Sequence, residues 1–399
     1  MDAQIIGLTG SIGSGCTYIA REILEKVGFK YICLSDYLKA MYIEEKGAEP
    51  SDPDKRKREY QEFGDKKRRE NDQHDFFTQK AIEDIKREPG NQKWIVDSIR
   101  NPAEVHALRN HSQNFWLFGI FAGKETRWNR PSIQETYKDN KEQFEADDKN
   151  DSGEGNQPWG QKVSDCFSEA DVVFENKNDF SVPDNIDSNK FKGSFLGYVE
   201  RVLNPQERRE PPKEEGLMAM AYAASQFSSC MQRKVGAVIV DEDGNVVSSG
   251  YNEVPKGGQT CREEYTECFR QFKRNKFLEN LIGAGILSSE KEAEFNDVFK
   301  ENFKILDLCR ALHAEENAII NLARNGISVD LEKCTLYTTT HPCRLCANKI
   351  AMVGIKKIVY VEPYPDDYAI AILTHNGIHR EFFKGITYKA YFKVYGEKK

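Results

Sequence analysis

Two short stretches set the tightest constraint on how this chain can fold: HAE at 313–315 and HPCRLC at 341–346. Each opens a helix-compatible segment, and a strand-like run, CTLYTTTHP, lies between them. His313, Cys343 and Cys346 supply three ligands of a tetrahedral metal site, with the fourth position left open for water as catalytic zinc requires. Cys343 and Cys346 lie three apart at a helix start, so their thiols share one face, where exposed backbone N–H groups favour thiolate. His313 and Glu315 are two apart, which is ~200° of rotation in a helix. Only His313 is therefore expected on the metal, with Glu315 addressing the bound water and a substrate ring nitrogen. A structural site would need a fourth protein ligand. His341 is the nearest choice, but it precedes the strand-end Pro342 and is expected to point away.

The order of these residues is H-x-E…P-C-x-x-C, the pattern of zinc-dependent nucleobase deaminases. Together with KVGAVIVDEDGNVVSSGYNEVPKGG, HAEENAI and PCRLC, most of residues 212–399 resembles the cytidine and deoxycytidylate deaminases, the deoxycytidylate branch above all. The resemblance implies an α-β-α sandwich, Glu315 as proton carrier, Asn252 near the sugar hydroxyl and Tyr364 lining the pocket. Read from the residues alone, Asn252 is equally a turn residue. An insertion at about 259–308, charged and helix-compatible, is expected beside the substrate mouth, where it would supply phosphate-binding cations. Its Cys261 and Cys268, with Cys309, admit a second metal site, but buried free thiols are the preferred reading.

A second motif lies at the other end of the chain. GSIGSGCT, Gly10, Ser11, Ile12, Gly13, Ser14, Gly15, Cys16 and Thr17, matches G-x-x-x-x-G-K-[ST] except that Cys16 replaces the lysine. The loop follows a strand and precedes a helix expected over 17–27, so its amides can converge on phosphate and Thr17 can hold Mg²⁺. Without lysine, the point charge that steadies the β/γ-phosphates during transfer is missing. Apolar runs at 5–8, 94–96 and 115–121, each followed by a polar helix-compatible segment, predict an α/β fold with a parallel sheet. Residues 142–159 are expected to form a surface loop. Segments 58–71, 94–109, 124–130 and 168–180 resemble nucleoside-monophosphate and dephospho-coenzyme A kinases. That likeness implies Asp97 beside the loop, Arg100 and Arg127 as phosphate contacts, and a P-loop kinase-like parallel sheet over residues 1–203.

NPQERREPPKEEG, residues 204–216, is proline-rich and charged, and is expected to link this domain to the deaminase domain at 217–399. A kinase-like domain fused to such a deaminase resembles the bacterial anti-phage dCTP/dCMP deaminases. That resemblance implies hydrolytic deamination of dCTP and dCMP to the deoxyuridine forms, homo-oligomers and, in some members, an inhibitory partner RNA. A housekeeping dCMP deaminase and a bifunctional kinase/deaminase are the alternatives. The net charge of −7 disfavours a polynucleotide-editing enzyme, which needs clustered basic surface. Ten cysteines without a signal-like N-terminus or a membrane-length apolar run suit a cytoplasmic protein with metal ligands and free thiols.

Overall fold

A computed structural model describes the chain except residues 1–2, 53–55, 71–73, 89, 91, 154–157, 178–185, 205–209, 303–308, 364–365 and 397–399. The chain divides into two compact units, residues 1–211 with 383–399, and residues 212–382.

In the first unit, strands β1 (Gln4–Thr9), β2 (Lys30–Cys33), β3 (Lys93–Asp97), β4 (Phe115–Phe121) and β5 (Val172–Glu175) lie side by side in the order β5-β4-β1-β3-β2. Every one of these pairings is parallel. The central strands are buried along nearly their whole length, which is why they read as continuous apolar runs and not as alternating ones. The helix after β1 spans residues 16–27, but its middle, Ile19–Leu24, widens to π-type turns before tightening at Glu25–Val27. Residues Lys141–Ser152, expected as loop, form a helix. The Asn140 side chain caps it by accepting from the Gln143 amide at 3.1 Å, and Phe144 anchors it in a small apolar cluster with Ile12 and Tyr137.

The second unit is a five-stranded mixed sheet. Strands β6 (Gly236–Val240) and β7 (Val246–Tyr251) form an antiparallel hairpin closed by the expected turn, with the Gly244 amide donating to Asp241 O at 3.0 Å. Strands β8 (Thr335–Thr340), β9 (Lys357–Glu362) and β10 (His379–Phe382) complete the order β10-β9-β8-β6-β7. On one face, Ala237 and Ile239 pack with residues of helices Ala314–Arg324 and Arg344–Val353. On the other, Gly236 meets helix Lys213–Ser225 so closely that a Cβ would lie 1.9 Å from Ala221 O. The sheet is thus sandwiched between helices. The insertion contributes helices Cys261–Tyr265, Phe269–Gly283 and Glu292–Asn302.

The chain end departs from the expected boundary of 217–399. Strand β11 (Gly385–Ile386) joins the first unit's sheet, pairing antiparallel with β5, and helix Tyr388–Tyr395 follows it. Ile386 and Ala390 are buried in that unit's core, and Thr387 is held by the Asp171 and Ala170 carbonyls. Lys393 sits 3.7 Å from the centre of the Trp116 ring. These contacts fix the C-terminal segment to the sheet formed by the first part of the chain. The expected linker is also shorter, because a helix already begins at Lys213 behind Pro212.

Candidate metal centre

The metal site is assembled from two helix starts on one face of the mixed sheet. His313 is the N-cap of Ala314–Arg324 with extended backbone (φ −78°, ψ 162°), so it stands just outside the helix and Glu315 stands inside it. The two side chains therefore diverge through a cap, not through helical rotation alone. Cys343 is the N-cap of Arg344–Val353 and Cys346 occupies its first turn. Both thiols lie 3.3 Å from His313 Nδ1. Among the described residues, these three are the group of potential metal ligands whose atoms all fall within 4.8 Å of one another. Tetrahedral zinc with bonds of 2.0–2.3 Å needs nitrogen–sulfur edges of ~3.6 Å, so the donor set fits the ion with small adjustments.

Glu315 is buried, and its Oε2 lies 3.5 Å from Cys346 Sγ. Burial pushes its carboxyl up to about 6. A hydrogen bond from Cys346 and the adjacent His313 hold the Cys343 thiol down at about 4, while the same hydrogen bond and burial push Cys346 up. The pair thus favours one thiolate and one thiol, with Cys343 as the charged partner. The hydrogen bond to Cys343 raises His313.

Neighbouring groups hold these elements. Lys349 and Glu316 form an ion pair at 3.1 Å between the two ligand-bearing helices. Asp366 is buried and accepts from the Arg344 amide (3.1 Å) and the Ala369 amide (3.1 Å), capping two helices at once. It was not singled out from sequence, although an Asp before an apolar helical run is a cap signal. His341 is buried against Tyr360, edge-on at 4.8 Å, and is not one of the three clustered ligands. Asn252 accepts from the Val235 amide at 2.7 Å and donates to Arg233 O at 2.9 Å, so its amide pins the entry to β6. Tyr364 lies outside the described residues.

The loop at Gly10–Thr17 lines an open cleft of about 880 Å³. Gly13 (φ +77°) and Gly15 (φ +96°) adopt the left-handed backbone. Arg127 donates to Ile12 O (2.9 Å), Arg130 to Gly13 O, and Asn176 to Ser14 O (2.8 Å). Because trans peptides carry C=O and N–H on opposite sides, the amides of Gly13 and Gly15 point away from those donors. Thr17 donates to Asp97 at 2.8 Å. Burial and nearby Asp97 push Cys16 up to about 12, so it brings no charge.

The two expected phosphate contacts fare differently. Arg100 lines the cleft, paired with Asp151. Arg127 corrects the expectation: both its Nη atoms are bound to Asp148 (2.6 and 2.8 Å), its Nε to Ala122 O, and it is only 6% exposed. Arg127 holds the loop from behind. Arg130, not anticipated from sequence, lines the cleft instead.

A buried carboxyl beside a His/Cys/Cys donor set is the arrangement that zinc-dependent hydrolytic deaminases use. The profile of the cytidine and deoxycytidylate deaminase zinc-binding region matches residues 211–362. The deoxycytidylate deaminase of Enterobacteria phage T4 is 36% identical over 162 residues, 38% of this chain and 79% of that protein. The deoxycytidylate deaminase of Mycobacterium phage D29 is 35% identical over 38% of this chain and 94% of its own length. A dCMP deaminase structure from cyanophage S-TIM5, in complex with dCMP and dUMP, is 26% identical over 44% of this chain and 100% of that one, with a TM-score of 0.30. The chain belongs to the cytidine and deoxycytidylate deaminase family. No helix among the described residues is long and apolar enough to cross a membrane.

Proposed function

We propose that this protein deaminates dCTP and dCMP hydrolytically to the deoxyuridine forms, and that draining dCTP serves as an anti-phage defence. The observation that carries the reading is the buried Glu315 carboxyl set against a ligand of the His313–Cys343–Cys346 group. Those three residues would hold zinc, which supplies the Lewis acidity that makes water nucleophilic near neutral pH. Glu315 takes a proton from water, delivers it to N3 of the cytosine, and carries the next to the departing ammonia. Burial suits the carboxyl to both directions of transfer, since it holds and releases a proton near neutrality.

The cleft at Gly10–Thr17 supports a nucleotide-responsive control role in place of kinase chemistry. Its backbone amides would bind phosphate, Arg100 would pair with it, and Thr17 with Asp97 would hold Mg²⁺. The neutral Cys16 leaves phosphoryl transfer without its usual cation.

Ammonia release from cytidine, dCMP, dCTP and CTP, with and without added dNTPs, tests the reading. Glu315→Gln should lower kcat by ~10²–10⁴-fold with zinc retained, and should abolish protection of cells against phage. Uracil formed only in single-stranded DNA would refute the free-nucleotide substrate.

A further inference from the structure

The three aspartates of helix Lys141–Ser152 are unequally paired. Asp148 is committed to Arg127 through both oxygens, at 2.6 and 2.8 Å. Asp151 is fully buried, and only half of its carboxylate is served. Its Oδ1 accepts from Arg100 Nη1, while Oδ2, equally enclosed, meets no hydrogen-bond partner among the described residues. A buried carboxylate with an idle oxygen is costly unless a second donor can reach it. Asp147 lies one helical turn before Asp151, on the same face. It accepts from the Tyr137 hydroxyl at 2.9 Å, and that hydroxyl accepts from Lys57 Nζ at 2.8 Å.

Lys57, on helix Arg56–Glu70, is the second donor. Its ammonium stands 3.7 Å from Asp147 Oδ2, but its hydrogen bond goes to the phenol. Burial above all, and then the Arg100 charge, hold it down at about 8, while Asp151 opposes this more strongly than Asp147 or Asp148 does. One turn further along the same helix, Gln61 accepts from Asn150 at 3.3 Å, so the two helices already touch beside Asp151. The Arg100 backbone is fixed: its amide donates to Glu104 Oε2 at 2.8 Å, and its carbonyl accepts from the Lys162 amide at 2.6 Å. The side chain is left to move, and it reaches the cleft at Gly10–Thr17, whereas Lys57 stands outside the lining of that cleft.

We propose that Asp151 is exchanged between Arg100 and Lys57, and that the triphosphate of a nucleotide in the cleft drives the exchange. The inference rests on the phosphate-binding reading of the cleft given above. With the cleft empty, Asp151 neutralises Arg100 and Lys57 rests on Tyr137. Phosphate that draws Arg100 away would strand Asp151 as a buried, unpaired charge, a strongly destabilising arrangement. Lys57 takes the carboxylate over, and the idle Oδ2 gains its donor. Each charge is compensated in both states. The lysine absent at position 16 is thus offset by one at position 57, which acts through Asp151 and not on the phosphate. Because Lys57 and Asp151 belong to different helices, the exchange draws Arg56–Glu70 onto Lys141–Ser152 and turns occupancy into closure.

Calorimetric titration of the full chain with inorganic tripolyphosphate and Mg²⁺ tests the exchange. Lys57→Ala should weaken binding ~10-fold or more from outside the cleft, and Lys57→Arg, which keeps the charge, should bind as the native chain does. Asp151→Asn removes the charge that needs Lys57, so Lys57→Ala/Asp151→Asn should bind as tightly as Asp151→Asn alone. Additive losses, or native affinity in Lys57→Ala, would overturn the exchange and leave the phosphate reading standing. No binding by the native chain, or binding that Arg100→Ala/Asp151→Asn leaves unchanged, would overturn both. Should the variants not fold, acylation of lysines in the native chain at pH 8 decides. Saturating tripolyphosphate should slow modification of Lys57 by ~10-fold or more, because pairing with Asp151 withdraws the neutral amine. Unchanged or faster modification would overturn the proposal.

Discussion

Gly250→Ala should damage catalysis from a position that bears no reactive group. Gly250 lies in β7 under the start of the helix that carries Glu315. A Cβ there would fall 2.3 Å from Ala314 O and 2.3 Å from Ala318 N, both backbone atoms with no rotamer to yield. Restoring ordinary contact needs the helix to retreat by roughly 1 Å. Three hydrogen bonds oppose the move: Asn317 to Tyr251 O (2.7 Å), Asn321 to Ser249 O (2.9 Å) and Ser248 to Ala318 O (2.7 Å). A 1 Å retreat stretches all three past useful length, at about 1 kcal/mol each, on top of about 1–3 kcal/mol of overpacking. A loss of about 4–6 kcal/mol follows for the second unit. Because His313 and Glu315 travel with the helix, kcat should fall by ~10²-fold or more even in the folded fraction. Denaturant titration and ammonia release measure the two effects. Gly283→Ala is the control, since a Cβ at that helical position meets nothing within 4 Å, and it should be neutral or slightly stabilising. A Gly250→Ala protein with native stability and turnover would refute the close-contact account.

Two further substitutions separate support from chemistry. Arg127→Ala should destabilise the first unit by about 3–5 kcal/mol, because it strands Asp148 and releases Ile12 O; a stable variant that merely lost nucleotide affinity would return Arg127 to the phosphate site. Asp366→Ala removes a cap from two helices and should cost about 1–2 kcal/mol; zinc should also dissociate faster in a competition with a chromogenic chelator, and unchanged release would show that Asp366 does not steady the Cys343 and Cys346 helix.

Legibility in the sequence tracked how local each determinant is. The His313, Glu315, Cys343 and Cys346 constellation was visible because each half is a cap or first turn, defined within a few residues by its own backbone. The strands at 93–97 and 115–121 were visible because burial on both faces leaves unbroken apolar runs. The helix at 141–152 was hidden because its stability comes from one cap and one aromatic, Phe144, within an otherwise polar segment. Return of residues 385–395 to the first sheet was hidden for a different reason: its partners, Asp171 and Trp116, lie more than two hundred residues earlier. No window of sequence contains both sides of that contact.

The arginines show the same limit at the level of single side chains. Arg100, Arg127 and Arg130 all carry the charge that a phosphate needs, so residue type alone cannot rank them. What ranks them is the position of acids on a helix that the sequence did not reveal. Asp148 and Asp151 both lie on Lys141–Ser152; the first engages both Nη atoms of Arg127 behind the loop, and the second meets Arg100 at the cleft. With Cys16 neutral, phosphate in this cleft would have to compete with Asp151 for Arg100. That competition favours reversible occupancy over the tight, fixed grip that phosphoryl transfer demands, which is the behaviour a nucleotide-responsive element needs.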